Sequence, residues 1–227
     1  GDRVSLNLEA PNDHRLKSLA PHKNFSAELI QPLKWVAKIK QTQFKANPWR
    51  KQWPSVATQI VVGGAGESDS ELLSTTDYLY SRIGLKRAYF SPFHPVEDTP
   101  LENQPATKLQ RENRLYQASF LLRDYGFSME EMPFDVNGNL PEGTDPKLGW
   151  AQLNLAENPI EINQASKSEL LHIPGIGPKG AESLLSARRK LHLKSIEDLR
   201  RIGINPTRAA PFILLDGRRP SMQLSFL

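Results

Sequence analysis

The chain of 227 residues contains no cysteine. That excludes disulfides, thiolate nucleophiles, cysteine zinc sites and cysteine-ligated iron–sulfur clusters within these residues. No run approaches the ~18 apolar residues of a membrane-spanning helix. The opening GDRVSLNLEAP lacks the basic-then-apolar pattern of a secretory leader, so no membrane partner is expected and the cytoplasm is the default location. What is present is ordinary for a globular chain, with 38% apolar and 24% charged residues. The length suits one large domain or two modest ones.

Charge is unevenly spread. Residues 167–220 carry 11 Lys/Arg against 5 Asp/Glu, and the remainder carries 18 against 20. A basic segment on a near-neutral body suits a polyanion such as nucleic acid; the plain alternative is a solvated surface.

The apolar pattern begins with period two. In RVSLNLEA, residues 3–10, Val4, Leu6 and Leu8 share one face and Ser5, Asn7 and Glu9 the other, which predicts a strand. A strand needs neighbours and this one has almost nothing before it, so a longer natural protein is expected. Pro11-Asn12-Asp13 caps a short helix to about residue 20, and Leu33, Val36, Ala37 and Ile39 predict another over 32–43. FKANPWRKQWPSV reads as a loop whose Trp49 and Trp53 could stack on bases or anchor the loop. Residues 57–63 form a buried strand running into Gly63-Gly64-Ala65-Gly66-Glu67. Ser68 and Glu71 then make a capping box for a helix ending at Gly84. A strand over 86–91 follows, then a proline-rich loop with His94. A helix over 107–125 buries Leu109, Leu115, Leu121 and Leu122.

The rhythm β-α-β-α-β-α predicts three parallel β-α units with right-handed crossovers, an open wedge or half of a barrel. Residues 128–146 are rich in Pro, Gly and Asp and read as a linker, with a short helix from Asp145-Pro146 to about residue 155. From residue 160 the texture changes to short helices over 166–172, 179–191, 195–201 and 207–214. The turns IPGIGPKGA and RIGINPTRA repeat loosely.

In HIPGIGPKG, residues 172–180, two short helices meet at a turn with glycines that keep side chains away. The second helix starts with backbone N–H groups lacking intrahelical partners, at the positive end of its dipole. Lys179 adds a full charge. Together these predict an anion site, with phosphate the obvious anion.

Residues 162–187, INQASKSELLHIPGIGPKGAESLLSA, resemble the helix-hairpin-helix motif of sequence-tolerant DNA-binding proteins. The resemblance implies phosphate contacts from the backbone around Gly175, Ile176, Gly177, Lys179 and Gly180. It also implies that the carbonyls of Leu171, Ile173 and Ile176 hold a monovalent cation. Arg188, Arg189, Lys190, Arg200, Arg201 and Arg208 could widen the footprint, though each taken alone reads as a solvated charge before it reads as a specific contact. The second hairpin has Gly203 but Asn205 where a second glycine would sit, so it reads as a structural mate. A helix-packing or protein-docking module is the alternative for the whole segment.

VSLNLEAPN, TQIVVGGAGESDSELL and KRAYFSPFHPVEDTPLE resemble the later strands of the radical S-adenosylmethionine fold. Followed by the hairpin, they resemble a family of radical S-adenosylmethionine proteins described as DNA modification or repair proteins. That family implies S-adenosylmethionine and a [4Fe–4S] cluster held by a CxxxCxxC motif, which this chain lacks. The chain is then either the C-terminal part of a longer enzyme or a cluster-free relative with a degenerate half barrel; by itself it would not carry radical chemistry. The resemblance implies a cofactor wall of Ser5, Asn7 and Glu9 with Val62, Gly64 and Glu67, Val62 packing on adenine and Gly64 allowing close approach. For the first three, ordinary barrel hydrogen bonding is the alternative; for Glu67, helix capping. Tyr89, Ser91 and Phe93 alternate and could point into the barrel. His94 could face substrate or be solvated.

The expected organisation is a partial, TIM-like radical S-adenosylmethionine barrel of α/β class over 1–127, a linker over 128–158, an all-α tandem helix-hairpin-helix domain over 159–217 and a tail over 218–227. The expected partners are DNA, through its phosphates, and other DNA-repair proteins. The two functional readings are an enzyme acting on DNA and a non-catalytic DNA-binding protein.

Overall fold

A computed structural model describes residues 2–44 and 53–220. Trp49 and the end of the tail lie outside the described residues. The chain divides into two compact units, Gly1–Ser119 with Phe134–Glu142, and Phe120–Pro133 with Gly143–Leu227.

The first unit is built on a parallel sheet of β1 (Arg3–Ser5), β2 (Ser55–Val62) and β3 (Arg87–Pro92), in that order. Its helices are α1 (Asp13–Leu19), α2 (Gln31–Ile39), α3 (Asp69–Tyr78) and α4 (Leu109–Phe120). The pairing sets Val4 beside Val56 and Ile60 beside Phe90. Because strand side chains alternate, Val56, Thr58, Ile60, Val62, Ala88 and Phe90 share one face, and all are buried. The opposite face carries Arg3, Ser5, Gln59, Val61, Arg87, Tyr89 and Ser91, all half-buried or exposed. Right-handed crossovers through strands in sequential order put the helices on one side. That is why one face is apolar and covered and the other polar.

The two sheet edges differ. At β3 the Tyr116 hydroxyl accepts from the Phe90 amide at 3.1 Å and donates to the Phe90 carbonyl at 3.3 Å, and Pro92 has no amide to offer. No strand among the described residues pairs with the outer edge of β1.

Regular pairing of β1 is shorter than the alternation over 3–10 predicts. Leu6 and Leu8 still donate to the Ala57 and Gln59 carbonyls, at 3.2 and 3.0 Å. The chain kinks at Glu9, whose φ of 63° is left-handed, while the Glu9 carbonyl still accepts the Val61 amide at 2.8 Å. The helix expected over 32–43 begins earlier, with a π-type turn at Phe25–Ile30 capped by the Asn24 side chain. The capping box of Ser68 and Glu71 forms as read, and Gly84 ends the helix at φ 71°. Leu109, expected in the core, is 65% exposed at the start of α4. Within the stretch read as a linker, residues 134–142 belong to the first unit. Asp135 Oδ1 accepts from the Asn137 and Asn139 amides, and the Gly138 carbonyl accepts from the Ser70 amide at 2.8 Å.

The second unit packs α5 (Pro146–Asn154), α6 (Lys167–His172), α7 (Pro178–Ala187) and α8 (Ile196–Arg201) around Leu170, Ile173, Ile176, Leu184, Leu199 and Ile204. It is not purely helical. The helix expected over 207–214 is replaced by a tight turn at Ala210–Phe212 and a short strand, β5 (Ile213–Leu214). That strand pairs in parallel with β4 (Ile160–Glu161). Pro211 removes an amide that a continuing helix would need. Pairing with a segment some fifty residues away then captures Ile213, which is fully buried.

Candidate nucleic-acid interface

The hairpin between α6 and α7 is fixed from both sides. Ser166 caps α6 through a capping box with Glu169. His172, at the end of α6, has Nδ1 2.8 Å from the Ser168 carbonyl and Nε2 3.0 Å from Glu131 Oε1. Its ring stacks on Phe127 at 4.0 Å. The chain then turns at Gly175, whose φ of 84° is a left-handed conformation that favours glycine. A Cβ there would lie 3.2 Å from Arg208 Cβ, so the second hairpin packs closely on the first.

No side chain caps α7. Its N-cap is Gly177, and Pro178 fills the first turn. Helices α1, α3, α5, α6 and α8 are instead closed by Asn12, Ser68, Asp145, Ser166 and Ser195. Gly175 and Lys179 are exposed, and Gly177 and Gly180 half-buried. Ile176 points inward and is 1% exposed. The start of α7 therefore has no side-chain cap, and exposed Lys179 lies in its first turn.

Of the three carbonyls expected to face a cation, those of Leu171, Ile173 and Ile176, the last two have partners within the chain. The Ile173 carbonyl accepts the Ile176 amide at 3.1 Å, and the Ile176 carbonyl accepts Lys147 Nζ at 2.5 Å. The ammonium also lies 4.6 Å from the centroid of the Tyr125 ring. Lys147 is only 9% exposed. Burial pushes it down to about 7; neighbouring Asp145 opposes that shift and Arg208 adds to it. Asp145 caps α5 through the Leu148 amide at 3.0 Å and pairs with Arg208.

Of the arginines expected to widen the footprint, Arg188 is spent on the fold: one guanidinium nitrogen donates to the Ile162 and Ala165 carbonyls at 3.1 and 2.5 Å. Arg200 and Arg201 pair with Glu197 and Asp198 on their own helix. Arg189 and Lys190 are exposed.

The cofactor wall expected in the first unit falls into two parts. Ser5, Asn7 and Glu9 line one open depression with Lys23 and Glu28. Val62 is fully buried, and a Cβ on Gly64 would meet the half-buried Leu19 and Phe93 at 3.0 Å, so neither position is open. Glu67 turns back on its own loop: its carboxylate accepts the Gly63 amide and, at 3.1 Å, the Ala65 amide. It fills the anion cradle that its glycines make and does not cap α3, which Ser68 does. Around it, Arg111 donates to the Glu67 carbonyl and to Asp69 Oδ1, both at 2.7 Å. Arg15 holds Glu71 with two hydrogen bonds at 3.0 and 2.9 Å, keeping that carboxyl down at about 2. Tyr89 and Ser91 lie on the open sheet face, Arg87 sits 5.0 Å over the Tyr89 ring, and His94 is exposed. Trp53 is half-buried.

Lys147 escaped the sequence reading, which treated 146–155 as a short connecting helix. Its position in the first turn, against the helix dipole, gave no sign of this, since exposed Lys179 holds the same position in α7.

Residues 156–209 match the family model of the helix-hairpin-helix motif, which suggests nucleic-acid binding. No curated protein and no solved structure matches the chain. Among the described residues, no helix is long and apolar enough to cross a membrane and no group of three or more His, Asp or Glu could hold a metal ion.

Proposed function

We propose that the second unit binds DNA through its phosphate backbone, with little regard to sequence, at Gly175, Gly177, Lys179 and Gly180 and with Arg189 at the rim; Ile176, whose amide is taken by the Ile173 carbonyl, supports the turn from inside. The observation that carries this is the uncapped start of α7 beside exposed Lys179, within the matched motif. Backbone amides at a helix N-terminus bind phosphate without reading base edges.

The first unit we read as the late part of a radical S-adenosylmethionine barrel serving DNA modification or repair, in the cytoplasm and alongside other repair proteins. Its three parallel strands, polar open face and closed β3 edge support that reading. The residues here cannot hold the [4Fe–4S] cluster, since they include no thiolate. For S-adenosylmethionine, Ser5, Asn7 and Glu9 are the accessible candidates. The non-catalytic alternative keeps the hairpin and drops the barrel chemistry.

The test of DNA binding is fluorescence anisotropy with two unrelated 20-base-pair duplexes. Equal affinity for both is expected, with log affinity falling against log salt at a slope near −2 to −4, as two to four neutralised phosphates require. The Gly175→Ala/Gly177→Ala variant should bind at least about tenfold more weakly, roughly 1.4 kcal/mol. Affinity unchanged in that variant would remove the hairpin from the interface.

A further inference from the structure

The least expected group in the second unit is the buried ammonium of Lys147. A turn that offers amides outward to a phosphate leaves carbonyls facing inward, and each buried carbonyl needs a donor. In hairpin 173–177 the Ile176 carbonyl finds it in Lys147 Nζ, 2.5 Å away and covered on one side by the Tyr125 ring. The same ring fixes the next residue, since a Cβ on Gly177 would lie 3.2 Å from the Tyr125 hydroxyl oxygen. Lys147 is anchored at its root by α5, whose capping Asp145 is tied to Arg208 of the second hairpin. Helix α5, the first hairpin and the second hairpin therefore meet at this one charge.

We propose that Lys147 is a built-in cation of the hairpin: it occupies the place where a monovalent metal ion would otherwise hold the inward carbonyls, and it makes phosphate binding by the hairpin independent of such an ion. Its role is positioning. The charge holds the Ile176–Gly177 peptide with its carbonyl inward, so that the start of α7 stays open to an anion, and it adds to the positive potential there. This rests on the phosphate-binding reading above, which supplies the anion.

The experiment compares affinity for a 20-base-pair duplex in KCl, NaCl and tetramethylammonium chloride at one ionic strength. The wild-type chain should bind within about twofold in all three. Lys147→Met, which keeps the volume and loses the charge, should bind about tenfold more weakly in tetramethylammonium. Its circular dichroism and Tm serve as the check on folding. Tighter wild-type binding in K⁺ than in tetramethylammonium would overturn the proposal, as would full affinity of Lys147→Met in tetramethylammonium.

A second arm needs neither DNA nor the variant. In ¹⁵N-glycine-labelled wild-type protein the Gly175 and Gly177 amide signals should not move when K⁺ replaces tetramethylammonium, and movement would overturn the assignment. Unmoved signals together with no DNA binding in any salt would leave Lys147 as the hairpin's cation and remove the DNA reading alone.

Discussion

Lys147 occupies the second position of α5, after Pro146, where a cation faces the positive end of the helix dipole. It is kept there by the Ile176 carbonyl, the Tyr125 ring and Asp145, against the cost of burial and the charge of Arg208. With a folded-state value of about 7 and an ordinary value of 10.5, the folded chain holds fewer protons than the unfolded chain between those limits. Stability should therefore rise across that window as pH rises, by on the order of 1–3 kcal/mol relative to Lys147→Met. Urea denaturation of both proteins at pH 6.5 and 9.5 checks this; parallel pH profiles would contradict it. Tyr125 does not interfere, since burial raises its pKa. DNA affinity should move the opposite way, weakening as the ammonium is lost. Such opposed trends would separate the group's role in binding from its role in folding.

At the scale of elements, local chemistry explains what was legible. Helix starts were readable because a short polar side chain and an acid three residues on satisfy amides within one turn, as Ser68 with Glu71 and Ser166 with Glu169 do. Turns were readable where the backbone is left-handed, a conformation glycine adopts most readily, as at Gly84, Gly126 and Gly175. The residues that misled are those whose state is set by distant partners. Ile213 and Leu214 have a helical spacing with their neighbours, but β4 recruits them. Glu67 looked like a helix cap or a cofactor contact until the loop closed over its carboxylate. Arg188 looked like a free cation until the Ile162 and Ala165 carbonyls were brought to it. Of the candidate interface, the bare turn was visible in the sequence and the charge behind it was not.

The clamp between α1 and α3 gives a prediction at this scale. Glu71, held down at about 2 by Arg15, and secondarily by the Ser68 amide and Asn12, contributes stability that is fully present above about pH 4.5. That contribution is lost as pH falls from there toward 2. The pair is about a quarter exposed, with side-chain values of 26% and 30%, so solvent screening reduces its worth to about 1–2 kcal/mol. Glu71→Gln should lose that amount at pH 7 and show a flatter acid limb in urea denaturation monitored from pH 6 to 3. Equal acid sensitivity in the two proteins would show that the clamp is not what holds the loop.

Across the whole molecule, an N-terminal unit with one polar, uncovered sheet face accompanies a C-terminal unit whose hairpin is built for an anion. The charge distribution agrees, with a surplus of six positive charges over residues 167–220. In the proposed account the second unit supplies grip and the first supplies whatever chemistry the protein performs. The most direct test of the grip is an amide footprint, comparing ¹H–¹⁵N spectra of the chain before and after addition of a 20-base-pair duplex. The account predicts that the largest shifts fall on Gly175, Gly177, Lys179 and Gly180, with Arg189 at the margin, and that they are the same for two unrelated duplex sequences. Shifts centred elsewhere with residues 173–180 unmoved would contradict it.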